Sequence, residues 1–196
     1  MTRIKQDLSI NVAPLAGHSL LRLWVMGDAA MTRTAEPDEI DNMCALLTDC
    51  IRAGAVGLST SFVDMDERLQ PVPSRWAGTE ELDALCAVLG ETKKLLQVVH
   101  EFYDIDLTLA RVDQLAELSL KHDITTTLSP LFLNADNADG VAAIMARFDE
   151  QMARGARVWP QVQTRPIDIS FSLEVPSLLF MRLPTWYGLI RFGTKA

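Results

Sequence analysis

The chain has 196 residues, of which 48% are hydrophobic and 22% charged, and its formal net charge is −8. This length and composition are typical of one ordinary globular domain with a sizeable core. The negative charge disfavours a nucleic-acid or anionic-membrane partner. No apolar run is long enough for a transmembrane helix, and MTRIKQDLSI lacks the apolar core of a secretory signal. Three cysteines without CxxC spacing favour reduced thiols, so we expect a cytoplasmic protein.

Apolar periodicity predicts alternating strands and helices along the chain. The first part predicts a strand over 10–15, a short helix over 19–26 and a helix over 37–53 that begins at Pro37 and stops at Gly54. A short strand over 55–59 then precedes a helix capped by Thr79. Strands over 95–99, 124–128 and 158–162 alternate with helices over 106–121 and 141–152, the last closed by Gly155.

This alternation predicts an α/β fold with a parallel sheet. The apolar strands favour a sheet that is covered on both faces. Two architectures stay open: a doubly wound sheet, and part of a (β/α)8 barrel, which has about 250 residues when complete. The pattern gives about five β/α units, so we expect an incomplete barrel rather than a closed one. Neither GxGxxG nor GxxxxGK[ST] follows a strand, so dinucleotide and P-loop binding have no support.

Three hydroxyl residues end the strand of IRAGAVGLSTSF, namely Ser59, Thr60 and Ser61. In either parallel architecture, the loops at the carboxyl ends of the strands form the site. A long loop over 62–78 leaves from this end and carries several charges. Loops of this length are often lids or binding loops, although a solvated connector is the alternative. We therefore expect the hydroxyls to contact a substrate.

Several ordered motifs extend this interpretation: NVAPLAGHSLLRLWVMG, AGAVGLSTSF, PVPSRWAGTEELDALCAVLGE and VWPQVQTRPI. In order and spacing they resemble the amidohydrolase superfamily, in its branch of N-acyl-D-amino-acid deacylases, or D-aminoacylases. The resemblance covers nearly the whole chain. It implies that the chain is a middle fragment of a metal-dependent (β/α)8 barrel hydrolase. It also implies a zinc cofactor and a small N-acylated amino acid as substrate, with hydrolysis of a non-peptide C–N bond.

The resemblance also assigns candidate site residues. His100 ends LLQVVH, where the family has a metal-ligating histidine, whereas Ser129-Pro130 stands where the next family histidine is expected. The family's first-strand His-x-His pair is absent from the chain, and its catalytic aspartate falls beyond residue 196. We therefore expect the isolated chain to be inactive. Arg75 and Arg165 follow apolar segments and are candidates for binding the substrate carboxylate, since arginine binds carboxylates bidentately.

The remaining expectations concern packing and partners. Trp76 and Trp159 are expected in the core, and His18 is expected to cap or pack. We treat 1–196 as a single domain in which the apolar tail, 170–196, meets a partner surface or drives homo-oligomer formation. Two functional alternatives stay open: a non-catalytic subunit or remnant that assembles with a complementing chain, and a small-carboxylate binding module built on the loop that begins at Ser59.

Overall fold

The computed structural model describes residues 9–66, 68, 70–131, 138–165 and 185. Within them, strands and helices alternate from the first strand onward. The elements are β1 (Ala16–Gly17), α1 (His18–Met26), α2 (Pro37–Arg52), β2 (Gly57–Ser61), α3 (Thr79–Thr92), β3 (Leu95–Val99), α4 (Ile105–His122), β4 (Thr125–Ser129), α5 (Ala138–Ala153) and β5 (Arg157–Pro160).

The strands of the described residues form one parallel sheet in the order β1-β2-β3-β4-β5, the order of the chain itself. A doubly wound sheet reverses its strand order at a switch point, whereas the wall of a barrel adds each strand beside the previous one. The order therefore favours the barrel of the two architectures. β1 has only two residues and pairs with Leu58 and Ser59 of β2.

The helices α2 to α5 cover one face of this sheet. Right-handed crossovers between consecutive neighbouring strands carry every connecting helix to the same side. Even-numbered strand residues such as Leu58, Leu96 and Val158 point toward the helices and are fully buried. Odd-numbered residues such as Gln97 and Thr127 occupy the other face and are only half-buried. The expectation that both faces are covered is therefore wrong for the described residues.

The hydrophobic core lies between the sheet and the helices. The helices contribute apolar residues at helical spacing, and the strands contribute every second residue. At Gly57, a Cβ atom would lie 2.1 Å from the carbonyl oxygen of Leu95, so only glycine lets β2 approach β3 this closely. The largest fully buried apolar side chains are Met43, Leu47, Leu58, Leu85, Leu89, Leu96, Leu115, Ile124, Leu128 and Phe148.

Several element boundaries differ from those that the sequence predicts. The strand expected over 10–15 is instead the two-residue β1, because residues 9–15 make no sheet pairing. β2 is shifted two residues toward the C-terminus relative to the predicted 55–59. Gly78, not Thr79, is the N-cap of α3. α2 begins at Pro37 as predicted and ends at Arg52, one residue before its cap.

Contacts between backbone segments divide the chain into two compact units. One consists of Met1–Asp64 and Pro71–Val162, and the other of Met65–Gln70 and Gln163–Ala196. The prediction that 1–196 form one domain stays a prediction, and most of the predicted apolar tail lies outside the described residues. In the described part of the chain, no helix combines the length and hydropathy needed to cross a bilayer.

Candidate functional site

The carboxyl ends of β2, β3 and β4 lie side by side. Ser61 is in register with Val99, and Val99 with Ser129. The loop over 62–78 leaves from the first of these ends, His100 follows the second, and Pro130 follows the third. This edge of a parallel sheet is where the sequence predicts the site, because the strand-to-helix loops converge there.

The three predicted hydroxyls do not form one cluster, because strand residues alternate between faces. On the open face, Ser59 Oγ donates a hydrogen bond of 2.6 Å to Gln97 Oε1. Thr60 lies on the helix side, where its Oγ1 is 2.8 Å from His18 Nδ1, and is buried. Ser61 Oγ accepts hydrogen bonds from the backbone N–H groups of Val63 and Asp64. Ser61 thus shapes the start of the long loop.

A buried polar cluster lies behind Thr60. His18 Nε2 is 2.6 Å from Glu81 Oε1, and Arg22 Nη1 donates to the second carboxylate oxygen, Oε2. Arg22 Nη2 also donates to the backbone carbonyl of Arg33 at 2.7 Å. All three side chains are at most 1% exposed. The cluster, which we call the α1 clamp (His18, Arg22, Thr60 and Glu81), joins α1 and α3 to β2.

Pairing with His18 and Arg22 keeps the Glu81 carboxylate of the α1 clamp ionised. Burial raises the pKa of Glu81, but hydrogen bonds and charge from His18 and Arg22 outweigh it and lower that pKa below its usual value. The packing role expected for His18 is therefore what its contacts show. The sequence interpretation missed Glu81 and Arg22 as partners. Glu81 precedes Leu85 by four residues on the predicted apolar face of α3, and this misplaced charge was the available signal.

His100 lies in a small cavity beyond the end of β3. Its Nε2 donates to the carbonyl oxygen of Pro130 at 2.9 Å, and its Nδ1 is 3.4 Å from Thr108 Oγ1. Burial lowers the pKa of His100. The cavity has a volume of about 20 Å³, room for about one water molecule. Its other lining residues are Phe102, Ile105, Leu131, Val141 and Ile144.

The residue after His100 is also buried and ionic. Glu101 pairs with Arg111 of α4, whose Nη2 donates to Glu101 Oε1 at 2.5 Å and whose Nε donates to Oε2 at 3.2 Å. The Arg111 guanidinium also lies 3.5 Å from the ring centroid of Phe62. This stack ties the end of β3 and the start of the long loop to α4. The sequence interpretation did not identify Arg111.

Comparison with known proteins gives consistent results. The chain is 33% identical to an N-acyl-D-glutamate deacylase of Alcaligenes xylosoxydans xylosoxydans over 150 residues, 76% of this chain and 29% of that protein. It is 35% identical to an N-acyl-D-aspartate deacylase of the same organism over 92 residues, 47% of this chain and 17% of that protein. The chain resembles the N-acyl-D-amino-acid deacylases of the amidohydrolase superfamily. It spans less than a third of the length of these curated relatives. No family model matches the chain.

Solved deacylase structures have the same fold. A zinc and phosphonate-inhibitor complex of the N-acyl-D-glutamate deacylase from Bordetella bronchiseptica matches with a TM-score of 0.68 and 26% identity, over 84% of this chain and 33% of that one. A D-aminoacylase mutant in complex with copper chloride matches with a TM-score of 0.66 and 25% identity, over 83% of this chain and 32% of that one. The predicted fold class, α/β with a partial (β/α)8 barrel, is confirmed.

The deacylase resemblance calls for a metal site, and His100 has the chemistry of one ligand. A metal-bound histidine is neutral and commonly donates its second ring N–H to a carbonyl or carboxylate. His100 donates from Nε2 to Pro130, and its lowered pKa favours the neutral ring. Among residues 9–66, 68, 70–131, 138–165 and 185, no group of three His, Cys, Asp or Glu side chains is placed to hold a metal ion. The predicted role of His100 as a metal ligand stays a prediction.

The two predicted carboxylate-binding arginines lie in different compact units. Arg75 belongs to the 3-10 turn Pro73–Trp76, and its Nη1 donates to the carbonyl of Val63 at 3.3 Å across the long loop. Arg165 is exposed in the second unit. Their substrate role stays a prediction.

Two further expectations about large side chains are wrong. Trp76 and Trp159 were expected in the core, but they are 38% and 52% exposed. Trp159 is in register with Thr127 on the open face of the sheet, where no helix of the described residues covers it. Trp76 is the last residue of its 3-10 turn. Aromatic content by itself does not place a ring in the core, because burial depends on which face the strand or turn presents.

Proposed function

We propose that this chain forms the central part of a metal-dependent amidohydrolase that cleaves the amide bond of an N-acyl-D-amino acid. The single observation that carries the proposal is the agreement between sequence and structure. The chain is 33% identical to an N-acyl-D-glutamate deacylase over 76% of its length, and 84% of it matches the fold of a solved N-acyl-D-glutamate deacylase. The His-x-His pair and the proton-transferring carboxylate would then come from segments of the whole protein that this chain does not contain, and Ser129-Pro130 leaves the proposed site without one histidine of the family.

The metal we propose is zinc, which is bound in the deacylase structure from Bordetella bronchiseptica. In amide hydrolysis, such an ion polarises the carbonyl and lowers the pKa of a water molecule. His100 would contribute Nδ1 as a ligand, because Nε2 is already committed to the Pro130 carbonyl. The bond to Pro130 fixes the ring orientation, and Thr108 lies against the ligating edge.

The substrate contacts that we propose are polar and lie near the carboxyl ends of the strands. Ser59 faces the barrel interior together with Gln97, and Ser61 begins the loop over 62–78. Arg75 and Arg165 are the cations that we propose for the free carboxylate of the substrate. The substrate role predicted for Thr60 stays a prediction, and its Oγ1 lies 2.8 Å from His18 Nδ1. We also propose that the protein works in the cytoplasm.

A chimera tests the proposal on a complete barrel. The 150 matched residues of the Alcaligenes N-acyl-D-glutamate deacylase are replaced by the matching residues of this chain. We expect the zinc-loaded chimera to release acetate from N-acetyl-D-glutamate and not from the L enantiomer. We expect the isolated chain to release none under the same conditions.

Two variants of the chimera test the roles assigned to residues. His100→Ala is expected to lower bound zinc and kcat together by at least about 100-fold, because a direct ligand exceeds the 10–100-fold effect of a supporting partner. His122→Ala is the matched control, since His122 pairs with Asp83 between α3 and α4. A chimera that folds, binds zinc and hydrolyses neither enantiomer contradicts the proposed function. Unchanged zinc content in His100→Ala contradicts only the ligand role.

A second candidate, a subunit or remnant that assembles with a complementing chain, is favoured by the open edges of the sheet. Within the described residues, β1 pairs only with β2, and β5 only with β4. Edge strands expose unpaired backbone groups that a further strand can satisfy. If the chain is such a subunit, mixing it with the two flanking segments of the Alcaligenes deacylase gives zinc-dependent activity that neither component has alone.

A further inference from the structure

The long loop after β2 is closed at its base by hydrogen bonds between its two ends. At its start, the backbone N–H groups of Val63 and Asp64 donate to Ser61 Oγ at 3.3 and 3.0 Å. On its return, Val72 N–H donates to the carbonyl of Asp64 at 3.2 Å, and Arg75 Nη1 donates to that of Val63 at 3.3 Å. The two ends of the loop are therefore tied to each other beside the carboxyl end of β2.

Ser74 attaches the returning end of this loop to the sheet. It lies in the 3-10 turn Pro73–Trp76 and is 2% exposed. Its Oγ donates to the carbonyl oxygen of Ser61, the last residue of β2, at 2.9 Å. Its backbone N–H donates to Ser19 Oγ of α1 at 3.1 Å. Ser74 thus links the loop both to β2 and to α1, and the α1 clamp holds that helix on the same strand.

The contacts of Ser74 determine where the next residue, Arg75, lies. A buried hydroxyl is costly unless it is hydrogen-bonded, and the Ser74 hydroxyl finds its acceptor in the strand end itself. Arg75 is half-buried, and its guanidinium lies beside Val63, two residues beyond the end of β2. Because neighbouring residues of a 3-10 turn move together, a turn that is held by Ser74 also holds the backbone of Arg75.

We propose that Ser74 is a positioning residue that holds Arg75 at the carboxyl end of β2, where Arg75 would bind the free carboxylate of the substrate. The inference rests on the proposed function, in which Arg75 is one of the two cations for that carboxylate. An arginine that is held in place before the substrate arrives loses less conformational entropy on binding. The free carboxylate does not react, so loss of this contact weakens the ground state and the transition state alike. It therefore raises KM without lowering kcat.

Hydrogen exchange of the full chain tests whether Ser74 holds the turn. Ser74→Ala removes the Oγ contact with β2, so we expect the backbone amides at positions 74 and 75 to exchange at least about tenfold faster than in the wild type. Ser119→Ala is the matched control, because Ser119 is a 3% exposed serine whose Oγ donates to the carbonyl of Ile124, before the start of β4 at the opposite end of the sheet. It should leave these two amides unchanged. Equal exchange in Ser74→Ala and the wild type overturns the proposal.

Kinetics of the deacylase chimera test whether the turn positions Arg75 for the substrate. We expect Ser74→Ala to raise KM for N-acetyl-D-glutamate by at least about fivefold and to change kcat by less than about twofold. Bound zinc should be unchanged, since His100, the ligand that we propose, follows β3 and not β2. Ser119→Ala should leave KM unchanged. A KM that Ser74→Ala does not raise contradicts this inference alone, whereas an unsubstituted chimera that hydrolyses neither enantiomer contradicts the proposed function as well.

A double-mutant cycle shows whether Ser74 acts through Arg75. In an Arg75→Ala background, we expect Ser74→Ala to change KM by less than about twofold, because the side chain that it positions is already gone. An increase in KM that disappears in this background supports the proposal. A purely structural role would raise KM by the same factor with and without Arg75, and that result overturns the proposal.

Discussion

The two faces of the sheet are built on different principles. On the helix-covered face, Leu58, Leu96 and Val158 are fully buried and pack against the helices. On the open face, Ser59, Gln97 and Thr127 form a row of polar side chains across three strands, with a hydrogen bond between the first two. Helices of the described residues cover the first face of the sheet, whereas none of them covers the second face.

The difference predicts which substitutions in this chain should affect its stability most. The covered face buries apolar area and is expected to supply most of the free energy of folding. The open face corresponds to the interior of a barrel, and its residues approach the carboxyl ends where barrel enzymes place their sites. Substitutions on the two faces should therefore have effects of very different size, which gives direct tests of the comparison.

The largest effect is expected in the α1 clamp, on the covered side. Glu81→Ala leaves Arg22 and His18 buried without their carboxylate, and we expect a loss of about 3–5 kcal/mol in the free energy of unfolding. Urea denaturation measures it. Glu80→Ala, the exposed neighbouring position in the first turn of α3, is the control and should change stability by less than about 0.5 kcal/mol. A loss below about 1 kcal/mol for Glu81→Ala would show that the clamp is not formed in solution.

An intermediate effect on the free energy of unfolding is expected when the two faces are compared at adjacent residues of β3. Leu96→Ala removes a fully buried side chain and is expected to cost about 2–4 kcal/mol. Gln97→Ala removes a half-buried side chain with one hydrogen bond from Ser59, and is expected to cost less than about 1 kcal/mol. The same urea titrations measure both variants. Equal losses would mean that the open face is packed in solution.

The smallest effect is expected in the pH dependence of stability that comes from His100, in the cavity beyond β3. Burial lowers the pKa of His100 in the folded state below the 6.5 of the unfolded chain. As the pH falls below about 6.5, the unfolded state therefore takes up the proton first and the folded state loses stability. This loss is absent above that pH, where the ring is neutral in both states. We expect the free energy of unfolding to fall between about pH 7.5 and pH 5.

The comparison variant for this pH dependence is His100→Gln. Its side-chain amide can still donate to the Pro130 carbonyl, and it does not titrate. The stability difference between wild type and variant should therefore shrink as the pH falls. His122→Gln, at the end of α4, is the matched control substitution. Parallel pH profiles for the wild type and His100→Gln would show that His100 is solvated in the folded protein.

The periodicity of the sequence was sufficient for most elements of the fold. Helices α2 to α5 and strands β3 to β5 form near their predicted positions, because apolar spacing reflects the face that each element buries. The prediction of a strand over 10–15 was wrong, because an exposed apolar segment has the same local pattern as a buried strand. The barrel order of the strands also needed the tertiary structure, because both open architectures share the same alternation along the chain.

The candidate site was predictable only in outline. The residue pattern placed the hydroxyls at the end of a strand, and the structure has Ser61 there and Ser59 in the middle of β2. The resemblance to the deacylases placed His100 at the end of β3, where the structure has it. Neither the pattern nor the resemblance showed that Ser59 and Thr60 point to opposite faces of the sheet, because the face of each residue depends on where β2 begins. Nor did they identify Glu81, Arg22 or Arg111, since their partners are separated from them by 10 to 63 residues along the chain.

The sequence by itself determined the class of fold, the order of its elements and the family that the chain resembles. These depend on local spacing and on motifs, which are properties of neighbouring residues. The tertiary structure alone decided which face of the sheet is covered, which residues pair with His18 and Arg22 on the buried side of α1, and which groups surround the His100 ring. Each of these depends on partners distant in the sequence, and their positions are set only when strands and helices pack together.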